Sequence, residues 1–215
     1  THHDKGAFWA IFISVIIGIP VGIISAVKQY TIIDNSSLVI TLILTSIPGF
    51  WLGLMLIMLF SLKLGWLPAT GIDTWKHFVL PSVTLAGSCM ATVIRMTRST
   101  MLEVIRQDYI RTARAKGADE KRVILKHGFK NALLPIITVV GLTFGLQLGG
   151  AIITESVFAI PGLGTLMVTS VRMKDIPMVM ASVLFIAFAI GIINLIVDIL
   201  YAFIDPRVKA QYEKK

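Results

Sequence analysis

The sequence predicts an all-α integral membrane protein, a polytopic helical bundle with about five spans. Hydrophobic residues make up 55% of the 215 residues and charged residues only 15%. The mean hydropathy of +0.82 lies far above that of an ordinary soluble domain. The apolar residues also gather into stretches that reach the length of about 20 residues needed to cross the bilayer core as a helix.

Several separate stretches meet this length requirement. The first, residues 7–27, contains no charged residue, and the last carries Asn194 and Asp198 toward its end. A buried helix of a soluble protein explains one such stretch, but not a whole series in a chain of this size. We therefore predict a single transmembrane domain over residues 1–215. Its predicted spans are 7–27, 36–62, 77–94, 132–154 and 176–203.

The distribution of Lys and Arg predicts the orientation in the membrane. Fifteen of the 20 Lys and Arg residues lie in segments 28–35, 95–131 and 204–215, which five spans place on one side. Because cytoplasmic loops carry the excess of positive charge, these segments and the C-terminus are predicted to be cytoplasmic. The net charge of +8 then follows from orientation, and no nucleic-acid partner is expected.

The beginning of the chain suggests that more protein precedes it. Residue 1 is Thr rather than Met, it is predicted to lie outside, and no signal-peptide pattern follows it. We expect at least one further N-terminal span, which would give six spans in the full chain.

Residues 95–131, here called the basic segment, form a polar and basic stretch between two apolar ones. Leu102, Ile105 and Tyr109 recur at helical spacing, Gly117 suits a left-handed helix end, and Asp119 is placed to cap a second helix. Such a segment could lie on anionic headgroups. However, its exposed positions are small residues rather than the Trp, Phe and Leu of lipid anchors, which favours docking of a partner.

The basic segment resembles the cytoplasmic loop of permease subunits in bacterial ABC importers of the dipeptide, oligopeptide and nickel family. The resembling stretch is DYIRTARAKGADEKRVILKHGFKNALLP, residues 108–135, in which Arg111, Thr112 and Ala113 occupy the Glu-Ala-Ala positions of the general loop. Only Ala113 matches that general form, but R-T-A-R-A-K-G is the local version of the peptide branch. The chain also resembles the family, in the same order, at IGIPVGIISA, IPGFWLGL, GWLP, WKHFVLPSVTLA, ESVFAIPGLGTL and NLIVDILYAFIDPRV.

This resemblance implies a type I ABC importer permease fold in the bacterial cytoplasmic membrane. It implies a second homologous permease, two ATPase subunits that carry ATP and Mg, and an extracytoplasmic substrate-binding protein, in addition to membrane lipid. Peptides are the expected cargo, and nickel or a metal chelate is the alternative. The resemblance also implies a coupling helix that docks on the ATPase, carried by Arg111, Thr112, Ala113, Arg114, Ala115, Gly117 and Ala118.

Residues 155–175, here called the outer loop, are the second candidate site. The family resemblance implies an outer gate or a contact with the binding protein. The alternative is an interfacial or re-entrant helix that only seals the bundle, and Glu155 could be merely an exposed acid at the membrane edge. The predicted residues of this site are Phe158, Pro161, Gly162, Leu163 and Gly164.

The chain is not predicted to be an enzyme. No G-x-x-x-x-G-K-[ST] sequence occurs, so ATP hydrolysis is expected on a separate subunit. We predict no catalytic residue, no metal ligand and no cofactor of its own. The central parts of the spans lack the buried charges of an ion-coupled carrier, and no nucleophile–base motif supports a protease. Asn194 and Asp198 share a helix face, and Arg95 or Arg98 could neutralise Asp198.

Overall fold

A computed structural model describes residues 2–204 of the chain, excluding the side chains of residues 2–5, 7, 144, 146, 148–151, 198 and 200–204. Within this range the regular elements are helices. Two of them continue as π-helical turns, at Ile57–Lys63 and at Val123–Phe129. The α-helices are α1 His2–Val27, α2 Ile32–Ser46, α3 Gly49–Leu56, α4 Val79–Ile105, α5 Asp108–Ala115, α6 Glu120–Arg122, α7 Lys130–Val157, α8 Leu163–Arg172 and α9 Ile176–Ile204.

The helices confirm the predicted membrane-spanning bundle. In the described part of the chain, four helices are long and apolar enough to cross a membrane, and α2 with α3 makes a fifth if the bent pair is one span. The pair bends by 97° at Ser46–Pro48, because Pro48 lacks the N–H that would continue the helix. The predicted span 36–62 is therefore broken in its middle.

The fourth helix differs from its prediction. The sequence placed the end of this span at residue 94, but α4 continues to Ile105. Thr97, Thr100 and Met101 are buried on this extension, so the neighbouring helices hold it in helical form although it carries charged residues. The first third of the basic segment is consequently part of the bundle.

Small residues bring α1 and α4 into close contact. They recur every fourth residue along one face of α1, so they form a single stripe. A Cβ on Gly18 would lie 2.9 Å from Cγ1 of Val93, and a Cβ on Gly22 would lie 2.6 Å from Cβ of Thr97. Such a stripe is typical of helix packing in membranes, where close backbone approach provides the attraction. Its members are Ala10, Ser14, Gly18, Gly22 and Ala26.

Two apolar clusters mark the two ends of the bundle. At the end that carries the basic segment, Ala26 of α1, Met101 of α4 and Ala132 of α7 form one cluster. At the opposite end, Leu80 of α4 packs with Phe158 and Ile160 of the outer loop. The basic segment and the outer loop therefore lie at opposite ends, as the sequence predicts.

Candidate functional site

A tight turn at the tip of the basic segment separates two short helices. Helix α5 ends at Ala115, and Gly117 follows with a φ of 75°, as the sequence predicts. The Gly117 N–H donates to the Arg114 carbonyl at 2.9 Å, and the Ala118 N–H donates to the Ala113 carbonyl at 3.3 Å. These two bonds form a Schellman motif, in which a left-handed residue satisfies the last carbonyls of a helix.

The predicted coupling residues lie on the surface of this turn. Arg111, Thr112, Arg114, Ala115 and Gly117 are exposed, whereas Ala113 and Ala118 are half-buried. No atom lies within 4 Å of a Cβ built on Gly117. The structure therefore brings the seven residues together as one open surface with little side-chain bulk at its tip.

The two arginines of the turn have different environments. Arg114 donates to both carboxylate oxygens of Glu120, from Nε at 3.0 Å and from Nη2 at 2.6 Å. Hydrogen bonding to this carboxylate raises the pKa of Arg114 above its ordinary value. The Arg111 guanidinium lies 3.9 Å from Asp108, and the two side chains are 78% and 98% exposed. Such an exposed pair is weak, so Arg111 is more available to an acidic partner than Arg114.

The second half of the basic segment is anchored to the bundle. Val123 and Gly128 of the π-helical turn are buried, and a Cβ on Gly128 would lie 3.4 Å from Cε of Met101. Asp119 occupies the N-cap position of α6 but makes no capping hydrogen bond with its side chain. The predicted side-chain cap by Asp119 is therefore wrong, and the packing contacts are made by the π-helical turn that follows α6.

The outer loop folds back into its end of the bundle. Phe158 is only 1% exposed and packs with Leu80 and Ile160. Gly164 is also buried, Gly162 and Leu163 are half-buried, and Pro161 is exposed. Most of the five residues predicted for an outer gate thus pack against the bundle in this conformation. Their proposed contact with a binding protein stays a prediction.

Glu155 organises the start of α8 from inside the bundle. Its side chain is 4% exposed, and Oε2 accepts hydrogen bonds from the Gly164 N–H at 2.7 Å and the Thr165 N–H at 3.2 Å. A carboxylate at this position satisfies free N–H groups and interacts favourably with the helix dipole. A Cβ on Gly162 would overlap the Glu155 carboxyl group. The interpretation of Glu155 as an exposed acid is therefore wrong.

A buried ion pair connects α2 with the part of the basic segment that belongs to α4. Arg98 donates to both oxygens of Asp34, from Nε at 2.6 Å and from Nη2 at 2.8 Å. The sequence suggested Asp198 as a neighbour of Arg98, but Asp34 occupies this position instead. The side chain of Asp198 lies outside the described residues, as does the segment 205–215 that was counted toward the cytoplasmic charge.

Asp34 and Glu155 were missed as structural residues for the same reason. Each lies in a predicted loop, Asp34 in segment 28–35 and Glu155 in the outer loop, where an acidic residue usually faces water. For Asp34, a signal was Arg98 itself, since a charged residue at the end of an apolar span needs a partner. For Glu155, a signal was the Gly-x-Gly-Thr sequence at residues 162–165, whose glycines allow a helix start to approach another group closely.

Comparison with protein families and curated proteins gives consistent matches. Residues 18–210 match the family described as "Binding-protein-dependent transport system inner membrane component". The chain is 47% identical over 196 residues to the glutathione transport system permease protein GsiC of Escherichia coli strain K12. The GsiC protein of Pectobacterium atrosepticum matches with the same identity. These alignments cover 91% of this chain and 64% of each relative, so the chain spans about two thirds of the length of these relatives.

Comparison with solved structures matches the same fold. An inward-facing structure of the MetNI methionine ABC transporter aligns over 95% of this chain and 93% of the matched chain, with a TM-score of 0.76 and 21% identity. An amino acid ABC transporter crystallised with histidines aligns over 95% of this chain and 90% of the matched chain, with a TM-score of 0.67 and 17% identity. The helical arrangement is therefore that of ABC importer permeases.

Proposed function

Because the chain belongs to the family of inner membrane components of binding-protein-dependent transport systems, we propose that it is a permease subunit of an ATP-driven importer. In this role it forms half of a translocation path, and a second homologous permease forms the other half. Two ATPase subunits bind at the cytoplasmic face and hydrolyse ATP, while a binding protein delivers substrate from outside.

The exposed apolar surface supports a partner within the membrane. Among the described side chains of α9, Leu184, Phe185 and Phe188 are exposed, as are Leu42 of α2 and Trp51 of α3. Soluble proteins rarely expose an apolar surface of this extent to water. Lipid and a second permease subunit cover these faces in the proposed assembly.

The turn around Gly117 is the proposed contact with the ATPase. The single observation that carries this role is the open Schellman turn, which presents small, exposed residues beside the Arg111 guanidinium. Such a surface fits closely into a cleft, and Arg111 can pair with acidic groups at its rim. The anchored second half of the basic segment connects this contact to α4 and α7.

The proposed orientation places the basic segment in the cytoplasm and the outer loop outside. The excess of Lys and Arg on the side of the basic segment supports it. Docking of a cytoplasmic ATPase on the basic segment requires the same orientation.

Small peptides are the proposed cargo. The 47% identity to a glutathione transport permease supports this choice, since glutathione is a tripeptide. The test is uptake of labelled glutathione into proteoliposomes that contain the complete transporter and its binding protein. We expect unlabelled tripeptides to compete and Ni²⁺ to leave uptake unchanged. Competition by Ni²⁺ alone would contradict peptide cargo.

The coupling role is tested by adding bulk at the turn. We expect Gly117→Trp in the complete transporter to abolish the stimulation of ATPase activity by binding protein and glutathione. Gly65→Trp is the matched control, because Gly65 also has a positive φ of 64° and open space around it. Gly65 follows the π-helical turn Ile57–Lys63, at the end of the bundle that carries the outer loop.

The two variants carry the same backbone strain and the same added side chain. If Gly65→Trp retains stimulation and Gly117→Trp loses it, with the two permease subunits still paired, the coupling role is supported. If Gly117→Trp retains both the bound ATPase and its stimulation, the basic segment is only a membrane-surface element.

A further inference from the structure

One buried carboxylate holds three neighbouring parts of the chain. Asp34, at the start of α2, is 1% exposed and accepts two hydrogen bonds from Arg98 of α4. Its Oδ1 also accepts from the Ser25 hydroxyl of α1 at 2.5 Å, and its Oδ2 accepts from the Tyr30 N–H of the connecting turn at 2.9 Å. Asp34 thus contacts α1, the α1–α2 turn and α4 at once.

The turn before Asp34 is strained, and the carboxylate stabilises it. Tyr30 has a φ of 64°, in the left-handed region that a residue with a bulky side chain rarely adopts. Its N–H is paired with Asp34, and the Thr31 hydroxyl donates to the Lys28 carbonyl at 2.6 Å. The path of the chain from α1 into α2 therefore depends on the Asp34 carboxylate.

Helix α2 has little apolar attachment to the bundle. Its three buried residues, Asp34, Ser37 and Thr41, are all polar, whereas Val39 and Leu42 on its other faces are more than half exposed. Because so few side chains of α2 are buried, the close packing that usually holds two helices together in a membrane is limited here. The ion pair between Asp34 and Arg98 is consequently the principal directional link between α2 and α4.

The same stretch of α4 leads directly to the exposed part of the basic segment around Gly117. From Arg98 the helix continues to Ile105, a rise of about 10 Å. Met101 lies on this stretch and packs against Ala26 of α1 and Ala132 of α7, and Arg106 donates to Gln29 of the α1–α2 turn at 3.4 Å. A displacement of this exposed part therefore reaches Arg98 through a continuous, packed helix.

We propose that the Asp34–Arg98 pair is a positioning link that makes α2 move together with α4 when the ATPase displaces the Gly117 turn of the basic segment. This inference rests on the proposed function as an ATP-driven permease. In a buried pair the Coulomb attraction is largely offset by desolvation, so net stabilisation does not explain the arrangement. Its fixed bidentate geometry instead gives α2 a defined position relative to α4.

The test measures coupling as the number of glutathione molecules imported per ATP hydrolysed, in proteoliposomes with the complete transporter and its binding protein. We expect Asp34→Asn and Arg98→Gln each to reduce this ratio about tenfold while the ATPase stays bound. Arg95→Gln is the matched control, because Arg95 is exposed on the same helix. It is expected to keep the wild-type ratio.

The double variant and a mild variant sharpen the test. Since both residues belong to one link, Asp34→Asn with Arg98→Gln is expected to lose about tenfold rather than a hundredfold. Arg98→Lys keeps the charge but not the two-pronged geometry, and is expected to lose about threefold. It provides the measurement if the neutral variants do not fold.

Different results overturn the inference in distinguishable ways. If Arg98→Lys and the folded neutral variants melt at lower temperature but keep the wild-type ratio, the pair is only structural and the inference is wrong. If the wild-type transporter shows no ATP-dependent uptake, the proposed function fails, and the inference that rests on it fails as well.

Discussion

The basic segment and the outer loop use glycine in opposite ways at the two ends of the bundle. Gly117 lies in an exposed turn with open space around it, whereas Gly162 and Gly164 allow close contact with Glu155. The first glycine produces a surface that another protein can approach. The other two produce a filled interior. The two glycine-containing loops look alike in sequence. An added side chain would nevertheless disturb the approach of another protein at the basic segment and the internal packing at the outer loop.

The largest effect is expected from Gly164→Val in the outer loop. A Cβ there would overlap the backbone of Ile152 and lie 2.8 Å from Oε2 of Glu155. Because backbone cannot move aside easily, we expect the free energy of unfolding to fall by about 3 kcal/mol or more. Thermal unfolding in detergent, together with the refolding yield, measures this loss of stability.

Gly191→Val on α9 is the control for this prediction. A Cβ on Gly191 has no atom within 4 Å, so this change is expected to leave stability close to that of the wild type. Equal melting temperatures for the two variants would show that the outer loop is not packed as described.

A smaller effect is expected from Glu155→Gln. The amide keeps one oxygen that can accept from the Gly164 and Thr165 N–H groups, but it loses the negative charge at the helix start. We expect a loss of about 1 kcal/mol in the free energy of unfolding. Glu103→Gln makes the same change at an exposed site of α4 and is expected to have no measurable effect. Equal free energies of unfolding for the two variants would argue against the capping role of Glu155.

At the basic segment, Gly117→Ala tests the backbone without adding much bulk. A left-handed alanine costs about 1 kcal/mol, and the surrounding space accepts the methyl group. We expect a small fall in melting temperature and normal stimulation of the ATPase by binding protein and glutathione. Loss of stimulation with this variant would mean that the backbone conformation, rather than the open space, matters for docking.

The smallest effect is expected from Glu120→Gln, which breaks the ion pair with Arg114. The two side chains are partly exposed, at 54% and 38%, so the pair contributes no more than about 1 kcal/mol. We expect this contribution to disappear in 1 M salt, where charges are screened. A large loss that persists in high salt would show that the turn depends on this pair.

Sequence patterns predicted the features that depend only on residues close together in the sequence. The apolar stretches predicted the spans, and the position of Gly117 predicted the left-handed turn. The continuation of α4 past residue 94 could not be predicted in this way, because burial of Thr97 and Met101 depends on helices that are distant in sequence.

The polar contacts were harder to predict for the same reason. Arg98 pairs with Asp34, which is 64 positions away, and the sequence offered Asp198 as an equally reasonable partner. The Glu155 contacts depend on a loop that folds back on α7. For Arg98 the residue type indicated a need for a partner, whereas Glu155 was interpreted as an exposed acid. In both cases the packing of the helices determined the contacts.

The most direct test of the difference between the two ends is site-specific photo-crosslinking in the assembled transporter. A photoreactive residue is placed at Ala115, which is exposed in the basic segment, or at Ala159, which is exposed in the outer loop. We expect crosslinks from position 115 to the ATPase and none from position 159. Crosslinks to the ATPase from position 159, or none from position 115 while the ATPase remains bound, would contradict the account.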